Sequence, residues 1–350
     1  MADMMRAVRK VHAEPGLELV EIPLPQIQPD EVLLKVEATA ICGSDIHFYN
    51  WDEYAQKRIK PPLTIGHEFA GEIVKVGGLV KNYKVGDYAT ADSHIACGHC
   101  PVCKNGLQHV CQNLKIFGNE VNGSFAEYIA VPENSLWRLS REIPSEIGAV
   151  MEPLGGAVQA TLIEPVTAKS VVIFGDGPIG LFAVGVAVVA GASKVSLVGI
   201  VPSRLEVARK MGASAVYNNL EDKTIVDKIL DETHGLGVDV VLEMSGASSV
   251  YNDAFKVVRK GGRVTLFGLG PKPVSEFDFN YNIILRQVTV RGVAGRHMWD
   301  TWQVMDSLLK TGRLDPRPVI TGQLPLEKFD EGFKQLTTGS RDGLKIILRP

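Results

Sequence analysis

The chain has 350 residues, 45% of them hydrophobic and 22% charged, which is enough apolar material for two domains. Its net charge of −3 at pH 7 excludes bulk electrostatic binding to nucleic acid or to an anionic membrane. Its five cysteines do not make a secreted disulfide framework, and no apolar run reaches the roughly 18 residues that a membrane span needs. The first residues, Met1-Ala2-Asp3-Met4-Met5-Arg6, lack the apolar core of a signal peptide, so a cytoplasmic protein is expected. From Ala7 to about Val131 the pattern predicts β structure: short alternating or β-branched runs over 31–37, 70–76 and 124–131, separated by Pro and Gly turns. A helix is expected from Ser145 to about Leu162. Beyond Lys169, buried strands over 170–175, 194–199, 214–217, 238–243 and 262–268 alternate with helical stretches, and 179–192 reads as a buried helix. That alternation predicts a doubly wound parallel sheet. A helix over 299–310, another over 328–336 and a strand over 344–348 close the chain.

Cys97, Cys100, Cys103 and Cys111 form a C-x2-C-x2-C-x7-C run. Four thiolates can converge on one Zn2+, and because such a shell has no open position, its role is structural. The alternative is four free or disulfide-paired cysteines. His99 and His109 read as surface residues. Cys42 stands apart, upstream of Gly66-His67-Glu68. With Glu152 these residues offer a thiolate, an imidazole and two carboxylates, enough for a catalytic Zn2+ with a position left for water or substrate. Taken singly, a core cysteine and a structural histidine explain them equally well.

Gly175-Asp176-Gly177-Pro178-Ile179-Gly180 is a G-x-G-x-x-G that follows an expected strand and opens an expected helix, the context of a dinucleotide-binding turn. Gly175 permits the tight turn, Gly177 lets a pyrophosphate approach, and Gly180 allows close helix–strand packing. The carboxylate expected about twenty residues on, which would bond the ribose of NAD, is missing. The strand over 194–199 ends in Gly199, and no Asp or Glu occurs between Gly177 and Arg204. Ser203 and Arg204 would suit a 2′-phosphate, unless Arg204 stacks on adenine or faces solvent. Both NAD+ and NADP+ therefore stay open.

In their order along the chain, these motifs resemble the zinc-dependent medium-chain alcohol dehydrogenases over essentially the whole length. Two stretches, Cys42-Gly43-Ser44-Asp45-Ile46-His47-Phe48-Tyr49-Asn50-Trp51-Asp52-Glu53 and Gly295-Arg296-His297-Met298-Trp299-Asp300-Thr301-Trp302, are similar to the threonine-oxidising branch of that family. The resemblance implies a GroES-like, mainly β catalytic domain over 1–155. It further implies a Rossmann domain over 156–295 and a C-terminal return over 296–350 that completes the catalytic domain. It also implies that Cys42, His67 and Glu68 hold the catalytic zinc, with Glu152 beside it. Ser44 and His47 would relay the proton, with Ser44 replacing the family's threonine. Ile179, Arg204, Phe267, Gly268, Leu269, Val293 and Ala294 fall where the family contacts its nicotinamide cofactor. The expected reaction is oxidation of L-threonine, a small amino-acid substrate, by a homotetramer. The rivals are another secondary-alcohol substrate, such as a polyol or 2,3-butanediol, and a non-catalytic zinc- and dinucleotide-binding redox sensor.

Overall fold

The computed structural model describes residues 3–270, 273–274, 276–338 and 342–350. Two compact units emerge: Met1–Pro153 with His297–Lys310 and Ile320–Pro350, and Leu154–Arg296 with Thr311–Val319. Among the described residues no helix is long and apolar enough to cross a membrane.

The first unit is built on a mostly antiparallel sheet. Its strands lie in the spatial order Leu136–Arg138, Tyr88–Ala91, Glu68–Val76, Glu31–Ala40, Lys345–Arg349 and Ile320–Pro325; Tyr128–Pro132 also pairs with Glu31–Ala40. The strand Glu31–Ala40 is central because its β-branched and aliphatic residues are buried on both faces. Val32, Leu34, Val36, Phe69 and Ile73 form one core cluster, and Ile41, Phe48, Phe125, Phe333 and Ile346 form another. Each such side chain contributes about 1.5–3 kcal/mol on burial. The closing helix, Phe329–Thr337, spaces Phe329 and Phe333 four residues apart on its buried face. The strand expected over 124–131 is shorter than its apolar pattern suggests. Ser124 and Phe125 instead donate their N–H groups to the Gly66 and Ile65 carbonyls, both at 2.9 Å, and ladder pairing resumes at Tyr128.

The second unit carries a six-stranded sheet in which every pairing is parallel. Its spatial order is Ala215–Asn218, Lys194–Gly199, Ser170–Phe174, Val238–Glu243, Val258–Leu266, Thr289–Gly292. Numbered along the chain, this is 3-2-1-4-5-6, the order of a dinucleotide-binding Rossmann sheet. The fold class expected from the alternating pattern is the one observed. Helices Pro178–Val189 and Pro202–Lys210 each begin with proline at the first position, where the missing N–H costs nothing. Pro178–Val189 is buried from Gly180 through Ala187, which explains its apolar run. Buried Arg263 donates to the carbonyls of Thr161 and Glu164 at 2.9 and 3.0 Å, satisfying backbone groups at the end of helix Ser145–Leu162.

Candidate active site and metal centres

Strand register assembles the first cluster. Ala40 pairs antiparallel with Glu68 on one side and with Ile347 on the other. Continued past Ala40, that register sets Cys42 beside Gly66–His67 and Lys345. Cys42 then caps helix Gly43–Asn50, and its N–H donates to the Asp45 carboxylate at 2.9 Å. Gly66 has φ +90°, and the Phe125 ring lies 2.2 Å from where a Cβ would sit, so no other residue fits before His67.

The Cys42 sulfur, a His67 nitrogen and a Glu68 oxygen lie within 4.8 Å of one another. Zinc with bonds of about 2.0–2.3 Å holds tetrahedral ligands about 3.3–3.8 Å apart, so small side-chain shifts suffice to seat it. His67 Nδ1 is 3.7 Å from Asp45 Oδ1, and both are buried atoms without a hydrogen bond. A carboxylate behind the imidazole orients the ring and leaves Nε2 for a metal. One thiolate, one imidazole and one carboxylate form the donor set of an open zinc site, and these residues fit that ion.

The charges within this cluster are strongly coupled. Burial pushes the Cys42 thiol up, yet Lys345 and His67 hold it down to about 6. Burial works to lower His67, but the Cys42 and Asp45 charges raise it to about 10. Burial raises Glu68 to about 8 against the pull of Lys345. Lys345 is itself buried and donates from Nζ to the two Glu68 oxygens at 2.5 and 2.7 Å and to the Ile41 carbonyl at 3.2 Å.

Glu152 sits on helix Ser145–Leu162, immediately before the helix-internal Pro153, and accepts a hydrogen bond from the Ser93 hydroxyl. It lies outside the 4.8 Å set, although its charge helps to raise both His67 and Glu68. Ser44 and His47 share helix Gly43–Asn50 three residues apart, hence on one face. Ser44 is half-buried. His47 is exposed, with Nδ1 2.5 Å from Asp52 Oδ2, and Asp52 in turn caps helix Glu53–Arg58.

In the four-cysteine lobe the sulfurs of Cys97 and Cys100 lie 3.4 and 3.8 Å from that of Cys111. A disulfide would bring two sulfurs to about 2.05 Å, whereas thiolates on one zinc lie about 3.8 Å apart. All five cysteines of the chain are free thiols. The N–H groups of Cys103 and Asn113 point at the Cys100 and Cys111 sulfurs, at 3.4 and 3.3 Å, and Gly98 and Gly106 take positive φ in the loop. Backbone N–H groups of His99 and Cys100 hold the Cys97 thiol down to about 5, while burial and the crowded neighbouring sulfurs push Cys103 up to about 12. The four sulfurs converge closely enough to hold one zinc ion, which would stabilise all four as thiolates. His109 departs from the surface role expected of it: it is buried, with its ring 5.1 Å from that of His297. His99 is exposed as expected.

In the second unit the three glycines of the turn differ in what surrounds them. Gly175 has φ +120° and lies against the Ser245 backbone. A Cβ on Gly177 would meet nothing within 4 Å, which leaves the backbone open to a phosphate. A Cβ on Gly180 would lie 2.0 Å from the Gly175 carbonyl oxygen, so helix and turn are in direct contact there. Ile179, half-buried, and Ser203 and Arg204 lie in the first turns of helices Pro178–Val189 and Pro202–Lys210. Phe267, Gly268 and Leu269 follow strand Val258–Leu266, and Val293 and Ala294 follow Thr289–Gly292. All of these segments thus lie at carboxyl ends of parallel strands, where open α/β sheets bind ligands.

Three residues that surround the Cys42/His67/Glu68 cluster and Glu152 escaped sequence reasoning: Asp45, Ser93 and Lys345. Two left a signal. Asp45 follows a helix-capping residue by three, and Lys345 is a charge placed directly before the apolar run over 346–348. Ser93 left none.

Comparison with known proteins agrees with this architecture. Residues 28–141 match the alcohol dehydrogenase GroES-like domain, and residues 178–311 match the zinc-binding dehydrogenase domain. An L-threonine 3-dehydrogenase from Symbiobacterium thermophilum is 44% identical over 100% of this chain and 99% of its own length. A zinc-binding dehydrogenase from Sinorhizobium meliloti, solved bound to NADP, superimposes with a TM-score of 0.91 at 28% identity, covering 99% of this chain and 100% of that one. The 2R,3R-butanediol dehydrogenase of Bacillus subtilis superimposes at 0.88 with 30% identity and covers 99% of each chain. The chain belongs to the zinc-dependent medium-chain alcohol dehydrogenase family.

Proposed function

We propose that this protein oxidises the secondary alcohol of L-threonine to 2-amino-3-oxobutanoate, passing the hydride to NAD+ or NADP+. The observation that carries this reading is the open Cys42/His67/Glu68 cluster at the head of the helix that bears Ser44 and His47. Full-length identity of 44% to an L-threonine 3-dehydrogenase supports the substrate. Zinc held by Cys42, His67 and Glu68 would act as a Lewis acid that lowers the pKa of the substrate hydroxyl. Gly175–Gly180 would hold the nicotinamide cofactor, which would supply the hydride acceptor.

The chain's own residues would then divide the remaining work. Asp45 orients His67, and Lys345 holds Glu68. Ser93 fixes Glu152 beside the cluster. Ser44 would accept the hydroxyl proton while passing on its own, and His47 would deliver that proton to solvent. Asp52 engages Nδ1 of His47, so Nε2 is the atom that exchanges the proton. The four-cysteine lobe would hold a structural zinc and take no part in chemistry.

A homotetramer in a reducing cytoplasm completes the proposal. Five free cysteines support the compartment. Strand Thr289–Gly292 is an edge of the parallel sheet, and exposed Phe279, Tyr281, Ile284 and Leu285 precede it, which supports pairing with a second copy. Initial rates with L-threonine, sorbitol, xylitol and 2,3-butanediol test the substrate. Threonine is expected to give the highest kcat/KM. Turnover confined to butanediol would favour the second reading, which the Bacillus subtilis structure supports, and no alcohol-dependent cofactor reduction would leave a redox-sensing binder.

A further inference from the structure

Gly199 lacks the side chain that a Rossmann strand ordinarily presents to the adenosine ribose, yet the space beyond it is filled. A Cβ built on Gly199 would lie 2.6 Å from Cβ and 2.7 Å from Oδ2 of Asp176, the residue between the first two glycines of the turn. Asp176 is buried, and its Oδ2 accepts from the N–H groups of Ile200 and Val201, both at 2.7 Å. The Gly175 N–H donates to the Val198 carbonyl at 2.9 Å, which holds the turn against the strand end. A carboxylate thus stands at the carboxyl end of the second strand, supplied by the glycine-rich turn instead of by the strand. Sterics make the exchange reciprocal: with Asp176 in place, residue 199 must be glycine.

We infer that Asp176 is the residue that selects NAD over NADP. The inference rests on the dinucleotide reading of the turn but not on the identity of the alcohol. Two consecutive N–H groups after the strand would form an anion-binding concavity for a 2′-phosphate, and Asp176 already occupies them. A 2′-phosphate, with about 1.5–2 negative charges, would face this carboxylate across a buried contact. Its uncharged counterpart, a ribose hydroxyl, can donate to the same carboxylate. Ser203 and Arg204 favour a phosphate, but from the helix that follows those N–H groups. A like charge this near shifts an ionisation by about one unit or more, which corresponds to about tenfold in affinity. The balance therefore falls to NAD.

Direct titration of the purified protein with NADH and NADPH, followed by nicotinamide fluorescence, tests this without any substrate. NADH should bind about tenfold more tightly or better. Asp176→Asn keeps an oxygen for the Ile200 and Val201 N–H groups and removes the charge, so the preference should narrow to about threefold or less. The double variant Asp176→Ala/Gly199→Asp returns the acid to the strand and should restore the NADH preference even if the single variant folds poorly. Equal binding of NADH and NADPH by the unmodified protein would overturn the inference, as would an unchanged ratio in Asp176→Asn. Binding of neither cofactor would overturn the dinucleotide reading beneath it.

Discussion

Lys345→Met removes the ammonium bonded to Glu68 while keeping a side chain of similar length. Both partners are buried, and Nζ reaches both carboxylate oxygens at 2.5 and 2.7 Å. Deleting one partner of a buried ion pair costs about 3–5 kcal/mol, because the remaining charge is left uncompensated. In metal-free protein Glu68 can relieve part of that cost by taking up a proton, which its raised pKa of about 8 eases. The expected loss is therefore near the lower end, about 3 kcal/mol. With zinc bound, the metal supplies the compensating charge, and the loss should shrink to about 1–2 kcal/mol, the worth of the hydrogen bonds. Urea unfolding followed by tryptophan fluorescence is a clean assay. All four tryptophans, Trp51, Trp137, Trp299 and Trp302, belong to the first unit, so the signal reports on it alone. The comparison runs with and without a chelator. An equal loss in both states, or a loss under about 1 kcal/mol in the chelated protein, would refute the reasoning.

Other expectations concern the remaining parts of the account. Cys42→Ser should lower kcat by about a thousandfold or more with little change in unfolding, since it removes an open-site ligand; near-normal turnover in zinc-replete buffer would contradict that role. Cys100→Ser should lower the melting temperature and release one zinc per chain by elemental analysis, before any change in the rate per folded molecule. Gly66→Ala must force a residue with φ +90° against the Phe125 ring, so a loss of about 2 kcal/mol or more in stability is expected from urea unfolding. Burial works to raise the Asp239 carboxyl, but Arg259 and Ser170 outweigh it and hold the pKa below its usual value. Its contribution is present above the unfolded value of about 3.9 and is lost as pH falls through the lower folded value. Asp239→Asn should therefore flatten the acid limb of the stability curve, and an unchanged limb would exclude this contribution.

Most of the architecture was legible because local signals agreed with one another. The β-branched runs after Lys169, the prolines that open two helices and the glycine turn all pointed to one parallel sheet. The strand near residue 124 begins later than its pattern suggests because apolar alternation does not say which backbone accepts a hydrogen bond, and there the Ile65–Gly66 loop replaces the ladder. The convergence of Cys42, His67 and Glu68, and of the four-cysteine lobe, was legible from residue type and spacing. What holds them was not, because Ser93 and Lys345 reach the cluster only through folding, from positions 59 residues before Glu152 and 277 after Glu68. Asp176 is the sharpest case. Its carboxylate lies within the turn itself, whereas the spacing rule places the ribose acid about twenty residues downstream. The contact with Gly199 exists only once turn and strand are side by side.

Fate of the substrate hydrogen tests the central claim most directly. L-Threonine deuterated at C3 would be incubated with the zinc-replete protein and oxidised cofactor, and the reduced cofactor analysed by mass spectrometry. The account predicts one deuterium on the nicotinamide per 2-amino-3-oxobutanoate formed, and loss of both in Cys42→Ser. Unlabelled reduced cofactor, or labelling that survives Cys42→Ser, would contradict it.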